Sequence, residues 1–379
     1  MTDTQPPPGT PGTADLPCDL AQLRRMTDDT GLFQHAVFAT PDRNHGYCID
    51  DNARGLIAAV RHAALFGPGP VTSELVFRYL GFIHHARNPA NGTFRNFMGF
   101  DRRWLEPTGS NDSQGRTAWA LGEAVRLCAD ANAFRHAEGL YHHAIDAAAG
   151  LDSLRAQAFT ILGADAFVSR IGPHGPSDDA VGRFGVHLHR RLLAHRRADW
   201  PWWEDVVSYD NARLPQALLA AGRRLGDAAM AGDALAALEW VWGVQEGSSP
   251  GGAPCVSVIG NGGWLRRDGS RARFDQQPLE AAALVDACLQ AAAAVGAGVA
   301  STGPGEPATA AAWRERALLA YAWFHGVNDA GLTLVDPQTG SCRDGLFAGG
   351  VNANQGAESI LALLMAELDL AAAGLHPAP

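Results

Sequence analysis

"HGYCIDDNARGLIAAV", residues 45–60, sets His, Tyr, Cys and two adjacent Asp directly ahead of an apolar helical run. Taken alone, the stretch reads as a capped helix, with Asp51 at the N-cap and its neighbours in packing roles. Its core, "DNAR" at 51–54, returns at residues 210–213, and that recurrence decides the fold. Aligned on D-x-x-R, the chain also yields "SQGR" at 113–116 and "DSLR" at 152–155, then the degenerate copies "DQQP" at 275–278 and "NQGA" at 354–357. Each copy opens a long Ala/Leu-rich stretch, such as "TAWALGEAVRLCADA" or "LEAAALVDACLQAAAAV". Small residues on nearly every face are expected of helices buried on both sides. Pro215 and Pro278 fall in first turns, where the missing N–H costs nothing.

Six further stretches alternate with these, at about 16–29, 70–87, 134–149, 176–197, 229–243 and 306–325. They carry Arg, Glu and His on one face and Leu, Phe and Tyr on the other, the one-sided pattern of outer helices. The alternation predicts an all-α fold, an (α/α)6 barrel of six inner and six outer helices. The connections into the inner helices are long and hold strand and turn signals. "NPANGTFRNFMGFDRRWLEPTGSND" carries an Asn-Gly turn, "GLTLVDPQTGSCRDGLFAGG" a hairpin around Pro-Gln-Thr-Gly, and "APCVSVIGNGGWLRRDGSRARF" two strands around Gly-Asn-Gly-Gly. Inner helices that all run one way gather these short β-hairpins at one end, over the helix N-termini. Long loops on a rigid scaffold make that end the expected site.

Composition bounds the function. The chain has 379 residues, 46% hydrophobic and 18% charged, and barrels of this size are often one domain. Residues 1–15, rich in Pro, Gly and Thr, are expected to be a disordered lead, with residues 16–375 forming the single barrel domain. The start lacks the basic and apolar segments of a signal peptide, and Arg, His, Asp or Gly interrupts each apolar run, so a cytoplasmic, non-membrane protein is expected. The formal charge of −10 disfavours nucleic acid as a partner. Six scattered cysteines without a C-x-x-C point to free, buried thiols. All 30 basic residues are Arg, which excludes Schiff-base chemistry and a Walker lysine. His84, His85, His142 and His143 read as solvated outer faces. His45, Cys48 and Asp50 lack a partner spacing for zinc, so neither metal nor cofactor is expected.

The lips ahead of the inner helices hold the candidate chemistry. Asp51, Asp152, Asp210 and Asp275 all stand where an N-cap is expected, and capping alone accounts for Asp152. The other lips have company that capping does not require. The first offers His45, Tyr47, Asp50, Asn52 and Arg54; the second Trp104, Asp112 and Arg116. In "DWPWWEDVVSYDNAR" the fourth has Trp202, Trp203, Glu204, Asp210, Asn211 and Arg213. The fifth adds Trp264, Asp275 and Gln276, and the sixth Asn354 and Gln355. Aromatic faces stack on sugar rings, and carboxylates, amides and guanidinium groups bind ring hydroxyls. A carboxylic acid paired with a carboxylate is what glycoside hydrolysis needs. Glu204, beside two Trp, is the expected desolvated acid; Asp51 or Asp112, at helix N-termini that favour the anion, is the expected base.

The alternation of twelve helices with polar inner-helix lips resembles the six-hairpin, (α/α)6-toroid superfamily of carbohydrate-active enzymes, over nearly the whole chain beyond residue 15. That superfamily includes inverting glycoside hydrolases, unsaturated glucuronyl hydrolases, sugar phosphorylases, polysaccharide lyases and N-acylglucosamine 2-epimerases. "HAVFATPDRNHGYCIDDNAR", residues 35–54, also looks like a domain found near bacterial glycosyltransferases. The resemblance implies a bacterial enzyme of carbohydrate metabolism with an oligosaccharide or sugar substrate and a functional link to a glycosyltransferase. The leading expectation is a glycoside hydrolase. Three alternatives stand beside it: a sugar epimerase using His35 or His45, a phosphorylase using Arg54, Arg116 and Arg213, and a non-catalytic glycan-binding partner of a glycosyltransferase. A terpenoid enzyme shares the barrel shape, but the spaced acidic motif for diphosphate is missing.

Overall fold

The computed structural model describes residues 17–299 and 309–376. The predicted lead at 1–15, and the starts of the expected outer helices at 16 and at 306–308, lie outside the described residues. Within them, six inner helices form a ring: α2 (Ile49–Phe66), α4 (Asn111–Leu127), α6 (Leu154–Ile171), α8 (Arg213–Leu225), α10 (Pro278–Gly296) and α12 (Ala357–Ala372). Each packs on the next, and α12 closes the circle against α2. The outer layer is α1 (Ala21–Arg25), α3 (Pro70–Ala86), α5 (Ala131–Ala147), α7 (Gly175–His195), α9 (Ala228–Gly243) and α11 (Ala310–Ala322). The outer helices α3, α5, α7, α9 and α11 lie against α2, α4, α6, α8 and α10 in turn, and α1 lies against α12. The start of the described chain therefore completes the last hairpin, and Cys18 N–H donates to Glu367 of α12 at 3.0 Å.

Ala and Gly in the inner helices allow this close ring. A methyl added at Gly122 would collide with the Gly163 carbonyl, and one at Gly163 with the Ala118 carbonyl. Helices α4 and α6 thus touch backbone to backbone. Gly122→Ala is expected to destabilise the fold by about 1–3 kcal/mol through overpacking, read as a lower denaturation midpoint. An unchanged midpoint would show that the seam has room.

Helix α10 is long and apolar enough to span a membrane by length and composition, yet it carries Glu280 and Asp286 and packs between α8, α11 and α12. All six cysteines are free and buried.

Three local expectations are corrected. The outer helix expected over 16–29 shrinks to α1, because Asp28 Oδ1 accepts the N–H groups of Thr30 and Gly31 and turns the chain. The aspartates expected at N-caps do not cap. Cys48 caps α2, accepting Asp51 N–H at 3.4 Å, and Ser153 caps α6. Ala212 and Gln277 precede α8 and α10 without side-chain caps. Finally, the two strands expected around Gly-Asn-Gly-Gly pair elsewhere. Pro254–Val256 pairs with Glu246–Ser248, and Leu265–Arg266 with Val206–Val207. Left-handed turns at Trp264 and Asp275 redirect that loop. The Pro-Gln-Thr-Gly hairpin forms as expected, closed by a Val335–Cys342 bridge.

Candidate active site

Every inner helix points its N-terminus at the same end of the ring, so the lips converge on one mouth. The first turn of α2 starts Ile49-Asp50-Asp51, and that of the adjoining α4 starts Asn111-Asp112. Asp50 and Asp112 are the second residue of neighbouring inner helices, and each feels the positive helix end.

Asp51 is buried and both of its carboxylate oxygens are engaged. Its Oδ1 accepts from Arg54 at 2.9 Å and its Oδ2 from the Cys48 thiol at 3.0 Å. Arg54 also reaches Glu358 of α12 at 2.9 Å. Asp50, one residue earlier, is turned about 100° around the helix axis. It is half-buried, and its buried Oδ1 has no hydrogen-bond partner. Burial pushes the Asp50 carboxyl up to about 6, against the pull of Arg116 and Arg54; Asp51 and Asp112 add a smaller push. Asp112 accepts from the Tyr209 hydroxyl at 2.8 Å and from Ser153 Oγ at 3.3 Å.

Beneath these lies a network of buried charge. Asp210, fully buried and at φ +49°, pairs with Arg116 at 2.8 Å and with Arg213 at 3.4 Å. Glu280 accepts the backbone N–H of Asp210, and both the N–H and the side-chain amide of Asn211, the latter pair at 3.2 and 3.0 Å. Burial first, and then the Asp210 charge, push Glu280 up to about 7. Arg155 bonds Glu204 at 2.8 Å, Ser208 at 2.9 Å and the Tyr209 carbonyl, and lies 4.5 Å over the Tyr209 ring. It positions the residue that holds Asp112.

Several expected site residues are elsewhere or otherwise engaged. Trp202 and Trp203 are fully buried; Trp203 Nε1 donates to Leu188 of α7 and Trp202 packs on Trp240 of α9. Neither ring is offered to a ligand. Glu204, 29% exposed and paired with Arg155, lacks the apolar surround expected of a desolvated acid. Trp104 packs on Phe82 and His85 of α3, in the outer layer. Tyr47 is buried on Phe33 with its hydroxyl donated to Asp28. Four amides are buried struts of the lips: Asn52 on Leu32, Asn211 on Glu280, Gln276 on Asp329 and Trp323, and Gln355 on Asp336 and Thr339. Trp264 is half-buried and Asp275 exposed, both on one loop. Asn354 Oδ1 accepts Phe38 N–H at 2.9 Å. His45 is exposed, 3.6 Å from Asp42, with its ring edge-on to His35 at 4.6 Å.

Glu280, Arg155 and Glu358 escaped the sequence reading. The signal was present for the two glutamates: each is the lone acid in the first turn of an Ala/Leu-rich inner helix.

The raised carboxyls set a pH dependence. Glu280 and Glu367 rise to about 7 and Asp50 to about 6, mainly through burial. The native state therefore holds protons that the unfolded chain releases from about pH 4 upward. Their contribution to stability is complete below that point and is lost as pH rises to 7. Burial lowers His62, His136, His174 and His325 and acts in the opposite sense, so the carboxyl contribution is read by difference. Relative to wild type, Glu280→Gln is expected to lose part of the fall in Tm between pH 5 and pH 8 in matched salt; an unchanged profile would place that proton elsewhere.

Six inner and six outer helices in a closed ring, with polar lips at one mouth, define the (α/α)6 toroid. Solved structures that share it include D-mannose isomerase, with a TM-score of 0.67 and 10% identity over 94% of this chain and 96% of that one. Cellobiose 2-epimerase from Spirochaeta thermophila follows at 0.63 and 12%, covering 92% of each chain. A GH76 α-mannanase from Bacteroides thetaiotaomicron gives 0.58 and 14%, over 93% and 94%. At these identities the likeness is one of fold. No protein-family model matches the chain, and no curated protein matches it by sequence.

Proposed function

We propose that the chain is a sugar-transforming enzyme of the glycoside hydrolase type, acting at the mouth with Asp50 as general acid and Asp112 as the partner carboxylate. The observation that carries this reading is Asp50: a half-buried carboxyl with one oxygen unpartnered, raised to about 6, on the helix turn beside Asp112. Two carboxyl groups with different surroundings can divide acid and base roles. Protonated Asp50 would donate to the glycosidic oxygen as the bond to the anomeric carbon breaks. Asp112, oriented by Tyr209 and Ser153, would take the proton of an attacking water or attack the anomeric carbon itself. Enzymes of this fold named above act on mannose-, cellobiose- and mannan-type sugars, which makes those glycans the first to try.

A second reading has its own observation. His35 and His45 are exposed and stand edge-on at 4.6 Å, on a segment tied to the lip of α12 by Ala357 N–H donating to the Gln34 carbonyl at 2.9 Å. Imidazole at this place suits proton transfer at a sugar carbon, the chemistry of an epimerase or isomerase. The phosphorylase reading loses its basis, since Arg54, Arg116 and Arg213 are each engaged by carboxylates.

The test is product chromatography of purified protein with manno- and cello-oligosaccharides and the free sugars. Shorter products support hydrolysis by the carboxyl pair. An isomer of unchanged length supports the histidine reading. Sugars left intact throughout overturn both.

A further inference from the structure

Residues Ala36–Val37 and Thr40–Pro41 pair as a hairpin whose two-residue loop is Phe38-Ala39. Such loops favour Gly or Asn, because a central residue must take positive φ. Phe38 takes it, at φ +51°. Nor is the ring buried in compensation: Phe38 is 65% exposed, beside Val37 at 53%. Backbone preference and the hydrophobic effect both argue against Phe here.

The loop is nevertheless held on every side. Phe38 N–H donates to Asn354 Oδ1 at 2.9 Å, and its carbonyl accepts Gln355 N–H at 2.9 Å. The Ala39 carbonyl accepts from Gln22 Nε2 at 3.2 Å. Gln355 is itself fixed by Asp336 and Thr339. These bonds join the hairpin to the lip of α12, three residues along from His35 and thus at the rim of the mouth. A strained residue that its surroundings hold in place, presenting a bare aromatic face beside a polar site, is arranged for a ligand.

We propose that Phe38 is a stacking platform for a sugar ring at the rim, the determinant that lets the site hold a glycan longer than the unit being transformed. The inference rests on the sugar reading of the mouth. Stacking adds affinity without touching the reacting bond, so it belongs to KM and not to kcat.

The test compares Phe38→Ala, Phe38→Gly and Phe38→Trp with wild type on manno- and cello-oligosaccharides of two to five units. Ala and Gly are expected to raise KM about five- to tenfold for the longer members, with kcat and inhibition by the monosaccharide unchanged. Trp is expected to restore KM. Gly, at ease with positive φ, should also melt higher than Ala, which shows that the loss is of the ring and not of the hairpin. An active wild type whose KM ignores Phe38, or changes equally for every chain length, overturns the platform alone. A wild type inert to the whole panel overturns the sugar reading and the platform with it.

Discussion

Asp50→Asn is expected to lower kcat by about 10²- to 10⁴-fold, the usual worth of a general acid, while leaving the protein as stable as wild type or more so. Asn matches Asp in shape but has no proton to give. It also removes a charge from a place that resists it, since burial is the main cause of the rise to about 6. The pH profile supplies a second sign. An acid that must be protonated loses its activity as pH rises through its pKa, so the alkaline limb of the wild-type kcat/KM profile should fall near pH 6. In Asp50→Asn the limb should vanish along with the rate. Full activity in the variant would remove Asp50 from the chemistry and return attention to the two histidines.

Arg116→Met acts on both the fold and that limb. Arg116 makes a buried ion pair with Asp210 at 2.8 Å and lies 4.1 Å over the Phe159 ring. Met keeps much of the packing and deletes the charge, leaving Asp210 with Arg213 alone at 3.4 Å. Breaking a buried pair from one side costs about 3–5 kcal/mol, to be measured by urea denaturation. Arg116 is also the strongest influence holding the Asp50 carboxyl down. In whatever fraction stays folded, the alkaline limb should therefore move above 6. Loss of stability without that displacement would mean that Asp50 is not the group being titrated.

The ring was legible because a closed barrel repeats one problem six times. "DNAR" at 51–54 and at 210–213 marks two inner helices outright, and Ala-rich runs mark the other four. The site was legible in place and less so in its parts. At the first lip the reading was out of register: with Cys48, not Asp51, at the N-cap, the helix begins three residues earlier than expected. That offset pairs Asp51 with Arg54 and leaves an oxygen of Asp50 without a partner. At the fourth lip, "WPWWE" places Trp202 and Trp203 next to Glu204 in sequence. The rings instead turn down between α7 and α9, a choice set by packing partners more than thirty residues away for Trp240. Glu280 is visible in the sequence as the acid in the first turn of α10, but its significance comes from Asp210, seventy residues before it.

The seam between α12 and the beginning of the described chain has a consequence for how the molecule comes into being. Glu358, Glu367 and Asp369 of α12 bond Arg54, the Cys18 N–H and Arg61 respectively, across more than three hundred residues. A growing chain can assemble its first hairpins in order, but those partners come only with α12, the last inner helix of the ring. Contacts of such long range are made late and slowly. Until α12 arrives, Arg54 has Asp51 of its own helix as its carboxylate partner and Arg61 has Glu123 of α4. Closure of the ring therefore waits for α12, and a chain truncated before residue 357 leaves the inner helices as an open arc.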